Sequence, residues 1–219
     1  GFLPAGTANA AARALDLTSD PRSMAEALLR AEARPLDVGV VRHGGGETAF
    51  LLWFGAGLDA VVIHSLNATR TGPMGVRGLL VRGPRMLRDL AAYDQPLIEA
   101  EVDGSPFGAY GTVTVANVGI VAFGGRIAPD VDPSDGVLDV VGVPPAGLPG
   151  TARHVARMLR SSLSASPRVE HAVGRRITLE ARGRVPFQSD GEPTGVLPAE
   201  VSVRPGALRF LGTGRGALG

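Results

Sequence analysis

The clearest pattern along the chain is short runs of β-favouring residues, punctuated by glycine and proline. Leu36 to His43 and Glu47 to Phe54 are rich in β-branched and aromatic residues, and Gly44-Gly45-Gly46 joins them, which predicts a hairpin. Leu97 to Val102 runs into Asp103-Gly104, Gly111 to Val118 alternates, and Val137 to Val143 is a further strand. Arg176 to Ala181, Val185 to Gln188, Glu200 to Arg204 and Ala207 to Leu211 close the chain as short strands. Helices are expected at Ala10 to Leu17, at Ser23 to Glu32 with Ser23 as N-cap, and, after Gly55-Ala56-Gly57-Leu58-Asp59-Ala60, as far as about Asn67. Met74 to Ala92 and Thr151 to Leu163 complete the helical set. Roughly nine strands with antiparallel connections predict an α+β fold built on an antiparallel β-sandwich-like domain with a few helices.

Met74 to Ala92 carries a pattern of its own. At 100° per residue, Leu79, Leu80, Met86, Leu87 and Leu90 share an arc of roughly 120–140°. Arg77, Arg82, Arg85 and Arg88 share the opposite arc, while Val81 falls outside the pattern. Gly78, Gly83 and Pro84 are expected to weaken or kink the helix. Two readings follow: a core helix with a solvated basic face, or a peripheral membrane contact of the four arginines with anionic headgroups.

Composition narrows the classes. Gly 31 and Pro 17 in 219 residues supply the turns that many short strands need. The 22 basic and 21 acidic residues leave a net charge of +1, which argues against nucleic acid as a partner. All the basic residues are Arg, so no lysine is present to act as a P-loop or Schiff-base residue. Cys 0 removes disulfides and thiolate metal sites, and fits a reducing, cytoplasmic compartment. No apolar run is long enough to span a bilayer, and Gly1-Phe2-Leu3-Pro4 does not read as a signal peptide.

Three segments can carry chemistry. Gly6-Thr7-Ala8-Asn9 opens a helix, where backbone amides can face an anion or serve as a plain cap. Gly124 to Asp139 holds Asp130, Asp132, Asp135 and Asp139 in one loop, either a hard-cation site or a solvated acidic turn. Ser189-Asp190-Gly191-Glu192-Pro193 reads as a tight turn; Asp103-Gly104 has the same dipeptide but no second acid behind it. His43, His64, His154 and His171 lack ligand spacing and read as surface or strand-end residues.

Taken in order, these segments resemble the diacylglycerol kinase catalytic family, which includes bacterial lipid kinases and sphingosine kinases and is related to NAD kinases. The resemblance rests on Pro4-Ala5-Gly6-Thr7-Ala8-Asn9, on Gly57-Leu58-Asp59-Ala60, on the Gly124 to Asp139 block with Val131 where alanine is usual, and on Asp190-Gly191-Glu192. It covers nearly the whole chain. Ala10 stands where the family often has Asp or Asn.

The resemblance implies two lobes with an active site in the cleft between them. Residues 1–35 would be the tail of the nucleotide-binding domain, 36–205 the lipid-side sandwich, and 206–219 a closing strand and tail. The family's Gly-Gly-Asp-Gly-Thr loop is absent, so a preceding nucleotide-binding domain is an expected partner. ATP and Mg²⁺ are the implied cofactors and a lipid primary hydroxyl the implied acceptor. Asp190 is the implied base; Gly6, Thr7, Asn9, Gly191 and Glu192 would border the nucleotide or its magnesium. Asp132, Asp135 and the Val137 carbonyl would hold a structural Mg²⁺, with Asp139 nearby. Arg126 would face phosphate. The alternatives are a non-catalytic lipid-binding module of the same fold and a kinase of a soluble small molecule; the oligomeric state, a homodimer included, is open.

Overall fold

The expected hairpin after Leu36 forms, but its second strand breaks in the middle. β1 (Ala33–His43) pairs with β2 (Gly46–Phe50), then Leu51 and Leu52 bend the chain away into β3 (Trp53–Gly57). β2 and β3 lie in different sheets, so this bend carries the chain from one layer of the sandwich to the other. The computed structural model describes residues 20–29, 32–67, 76–120, 126–128, 130–160, 162–163 and 166–211. The expected helix at Ala10 to Leu17 and the Gly6-Thr7-Ala8-Asn9 segment lie outside them.

The first described helix, α1 (Pro21–Leu28), starts earlier than the sequence suggests. Pro21 sits at the first helical position, where its missing N–H costs nothing, and the Asp20 carboxylate accepts the Ser23 N–H at 2.7 Å. Asp20, not Ser23, is therefore the cap. After β3 come α2 (Leu58–Asn67) and α3 (Val76–Ala92), which pack on each other. For Arg77 and Arg82 only the backbone of α3 is described. Leu87 is 58% exposed, so the apolar arc of α3 is not fully covered.

β4 (Ile98–Val102), β5 (Ser105–Tyr110), β6 (Thr112–Ala116) and β7 (Leu138–Val143) follow. Then come α4 (Leu148–Leu159), β8 (Glu170–Gly174), β9 (Arg176–Ala181), β10 (Pro186–Ser189), β11 (Glu192–Val196) and β12 (Ala199–Leu211). The sequence pattern misses β5, β8 and β11: each is short and largely exposed, and Pro106, Gly108, Pro193 and Gly195 blur the alternation. It also splits β12 at Pro205-Gly206, where the strand only bulges against β1, between Leu36↔Leu208 and Val38↔Arg204.

Among the described residues two six-stranded antiparallel sheets result, in the orders β2-β1-β12-β9-β4-β5 and β11-β10-β3-β6-β7-β8. Their inner faces share one core containing Phe50, Ile98, Leu179 and Val201 from the first sheet and Phe54, Val113, Val140 and Phe187 from the second. Phe54 and Phe187 meet with ring centroids 5.2 Å apart. A second apolar cluster joins Trp53, Val118, Ile127 and Leu163 with Met158 of α4. Core and turns together fix where the polar segments emerge.

Candidate functional site

β10 and β11 are joined by a two-residue turn in which Asp190 and Gly191 both have positive φ, 51° and 84°. This is the left-handed pair that suits the twist of a hairpin, and Asp and Gly tolerate it best. The corner is fastened from below. Asp190 Oδ2 accepts the Leu51 N–H at 2.7 Å, and Oδ1 accepts those of Leu52 at 2.8 Å and Trp53 at 3.1 Å. The bend between β2 and β3 is thus organised by a carboxylate far away in sequence. The residue's outer edge meets solvent while its carboxyl group is tucked under the bend. Burial lifts that carboxyl above the usual aspartate range, and the three N–H donors pull the other way.

A second layer lies behind the corner. Gln188 is fully buried; its Oε1 accepts the Gly191 N–H at 2.7 Å and its Nε2 donates to Asp59 Oδ2 at 2.8 Å. Trp53 Nε1 donates to the same oxygen at 3.4 Å. Burial raises the Asp59 carboxyl above its ordinary range despite these donors. Gly55 permits this arrangement, because a side chain there would collide with the Asp59 carboxylate. Asn67, at the end of α2, donates to the Gly191 carbonyl at 3.2 Å and reaches Glu192 Oε2 at 3.5 Å. Glu192 itself stands at the exposed rim of the corner.

The acidic loop forms a separate group. Asp132 Oδ1 accepts the Ser134 N–H at 2.9 Å and its hydroxyl at 2.6 Å; Asp135 Oδ1 accepts the Val137 N–H at 3.0 Å. Each carboxylate therefore stiffens its own turn through one oxygen and has no described hydrogen bond on the other. Asp139 turns to His171, Oδ1 to Nε2 at 2.7 Å, and burial raises its carboxyl. Among the described residues no three acids or histidines converge as a metal cluster. Two carboxylates and a carbonyl nevertheless suit magnesium, which keeps several of its waters. Arg126 is exposed and bridges Ile120 in strand fashion. Gly6, Thr7 and Asn9 lie outside the described residues.

The pattern of the YegS C-terminal NAD kinase beta sandwich-like domain matches residues 53–212. The chain belongs to this family. It is a diacylglycerol kinase-like member of the NAD kinase superfamily. Residues 1–41 match the diacylglycerol kinase catalytic domain. The chain is 26% identical over 204 residues to a diacylglycerol kinase of Bacillus subtilis (strain 168), covering 91% of this chain and 64% of that one. It is 26% identical over 219 residues to a diacylglycerol kinase of Mycobacterium tuberculosis, covering 96% and 68%. A crystal structure of a diacylglycerol kinase from Bacillus anthracis superposes with a TM-score of 0.67 at 17% identity, over 99% of this chain and 67% of that one. The chain thus spans about two thirds of the relatives' length.

Within this family fold, sequence reasoning passed over Asp37, Asn117 and Gln188, and gave Asp59 no task. Each was visible as a polar residue inside or beside an apolar β run. Such a residue signals a buried hydrogen-bond network before it signals catalysis.

Proposed function

We propose that this chain is the lipid-side part of an ATP-dependent lipid kinase that transfers the γ-phosphoryl group to a primary hydroxyl. The observation that carries the reading is the Asp190-Gly191-Glu192 corner, held rigidly by the 51–53 bend, Gln188 and Asn67. Phosphoryl transfer depends on positioning and charge neutralisation rather than on covalent chemistry. The named relatives are diacylglycerol kinases, which makes a diacylglycerol-like lipid the first acceptor to test.

In this proposal Asp190 fastens the corner, and Glu192, presented at its rim, takes the hydroxyl proton as phosphorus bonding advances. Asp190 as the base, the expectation from the resemblance, remains the competing assignment. Gly6, Thr7 and Asn9 border the nucleotide. Asp132, Asp135 and the Val137 carbonyl hold a magnesium ion that rigidifies the acidic loop; magnesium bound with ATP supplies charge neutralisation at the transferring phosphate. The protein works at a cytoplasmic membrane face, reached through the arginines of α3.

The test is incubation of the complete protein with radiolabelled ATP, Mg²⁺ and mixed vesicles containing diacylglycerol. Label in the lipid fraction is expected. Label only on soluble alcohols, or ATP bound without transfer to any lipid, rejects the reading.

A further inference from the structure

Charge is spread unevenly along the chain. Its 22 basic and 21 acidic residues nearly balance, yet from Val140 to Val169 there are four arginines and no Asp or Glu. Three of them, Arg153, Arg157 and Arg160, follow at helical spacing along α4 and its C-cap. At 100° per residue they share an arc of roughly 60°. Arg153 and Arg160 are exposed, as is Arg168 in the loop beyond, and Arg157 is half-buried. Among the described residues no ion pair reaches any of these four guanidinium groups. The cations crowd closely enough to be felt by His154. Its imidazole is held below the usual range by burial first, then by Arg153, Arg157 and Arg168.

The fold gives this stripe a direction. Met158, roughly 140° round the helix from Arg153, packs into the outer apolar cluster with Trp53, so the stripe points away from the sandwich. The C-terminal end of α4 lies towards the bend after β2. The Met158 carbonyl accepts the Arg126 N–H at 3.2 Å, Gly119 accepts that of Ile127 at 3.1 Å, and Leu52 accepts that of Val118 at 3.2 Å. The other end is tied to the end of α3. Gln95, just past α3, donates Nε2 to the Ala146 carbonyl at 2.5 Å and accepts the Ala146 N–H at 3.0 Å. The two helices thus meet at one clamp, and each has an exposed leucine, Leu87 at 58% and Leu148 at 48%.

Exposed arginines beside exposed leucines suit an anionic lipid surface, which takes charge and apolar contact together. A single-stranded nucleic acid would call for aromatic stacking partners, and none stands between Phe123 and Phe187. We infer that the Arg153, Arg157 and Arg160 stripe of α4 is a second contact with an anionic bilayer, and that with α3 it turns the helix-bearing side of the second sheet to the membrane. The inference deepens the lipid-kinase reading and rests on it for the choice of partner.

The test compares the complete protein with a variant carrying Arg153→Gln, Arg157→Gln and Arg160→Gln. Both are sedimented with vesicles of phosphatidylglycerol and of phosphatidylcholine, free of diacylglycerol. A control carrying Arg175→Gln, Arg182→Gln and Arg184→Gln removes the same charge from exposed turns on either side of β9. Native protein and control are expected to bind phosphatidylglycerol alike. The α4 variant should bind about fivefold less per arginine removed, roughly a hundredfold in all. Phosphorylation of diacylglycerol in non-ionic detergent micelles should be equal in all three, because such micelles present no anionic surface. Equal sedimentation of native protein and α4 variant, or an equal loss in the control, overturns the inference. So does native binding to phosphatidylcholine as strong as to phosphatidylglycerol. Absence of micellar phosphorylation by the native protein rejects the kinase reading instead, and the vesicle results still decide the surface. If the triple variant does not fold, Arg153→Gln with Arg160→Gln changes exposed side chains alone and should show a loss of roughly twenty-fivefold.

Discussion

Asp190 accepts the backbone N–H of Leu52 at 2.8 Å across 138 residues of sequence. That bond, with its neighbours from Leu51 and Trp53, determines how an Asp190 substitution must be read. In Asp190→Asn the side-chain NH₂ replaces one acceptor, leaving at least one backbone N–H facing a donor. The expected loss is about 1–3 kcal/mol, seen as a lower melting temperature and an altered emission of Trp53, the sole tryptophan. Loss of activity in this variant alone therefore does not identify a base.

Glu192→Gln supplies the contrast. Its side chain stands at the rim, reached by Asn67 at 3.5 Å, while Asp190 and Gln188 fasten the corner, so stability and Trp53 emission should change far less than in Asp190→Asn. Lipid phosphorylation should fall by about 10²–10⁴-fold in kcat, the usual worth of a positioned base. Retained turnover in Glu192→Gln, with loss in an Asp190→Asn protein whose emission is native, would return the role to Asp190.

Much of this was legible in the sequence, and the rest was hidden for identifiable reasons. The strands around Val41, Val113, Val140 and Leu179 stand where the β-rich runs put them, because each sends side chains into the shared core. The break at Leu51 was not legible, since its cause is a carboxylate in a distant hairpin. The two Asp-Gly turns teach the same lesson. Asp103, φ 51°, also turns its carboxylate onto backbone N–H groups, those of Arg175 and Arg176, at 2.8–3.2 Å. An Asp-Gly turn that clamps a neighbouring segment is thus a structural device here. What distinguishes the Asp190 corner is its neighbours, Gln188, Asn67 and Glu192, and only folding brings Asn67 to it.

Asp59 predicts an unusual pH dependence. Its folded carboxyl titrates above the unfolded value of 3.8, chiefly because of burial. Between those two values the native state holds a proton that the unfolded chain has lost, so stability falls as pH rises through that window. Asp139 and Asp190 add the same sign, while the lowered carboxyls of Asp20 and Glu47 oppose it from exposed positions. Asp59→Asn keeps an oxygen for Gln188 and Trp53 and removes the titration. Urea unfolding from about pH 4 to 8 should show the variant gaining on the native protein as pH rises, then holding a constant lead. A constant difference throughout would mean that Asp59 does not titrate differently in the two states.

Gly55→Ala tests the same layer by steric means. The added methyl meets the Asp59 carboxylate and lies 2.8 Å from Gln188 Nε2. Both side chains are locked, so the cost should reach the usual overpacking range of about 1–3 kcal/mol. The Gly191 N–H should also exchange faster, since Gln188 holds it. A variant as stable as the native protein, with unchanged Gly191 protection, would show that this layer yields more easily than its hydrogen bonds imply.

The basic face of α3 supports a final prediction about the membrane. Arg85 and Arg88 are largely exposed and lie 3.6 and 4.0 Å from Asp89, whose carboxylate also accepts the Ser65 hydroxyl of α2 at 2.8 Å. Asp89 therefore anchors α3 to α2 and holds two arginines at the surface without neutralising both. Surface pairs of this kind contribute little to stability, so replacing the arginines should leave the melting temperature nearly unchanged. A cation near an anionic bilayer is worth about 1 kcal/mol, or roughly fivefold in partitioning. Replacing Arg77, Arg82, Arg85 and Arg88 by Gln should sharply reduce sedimentation with phosphatidylglycerol vesicles, and salt should weaken the native protein in the same direction. Equal sedimentation of native and variant protein on anionic and neutral vesicles would remove the membrane role of this helix and leave the Asp190 corner reading untouched.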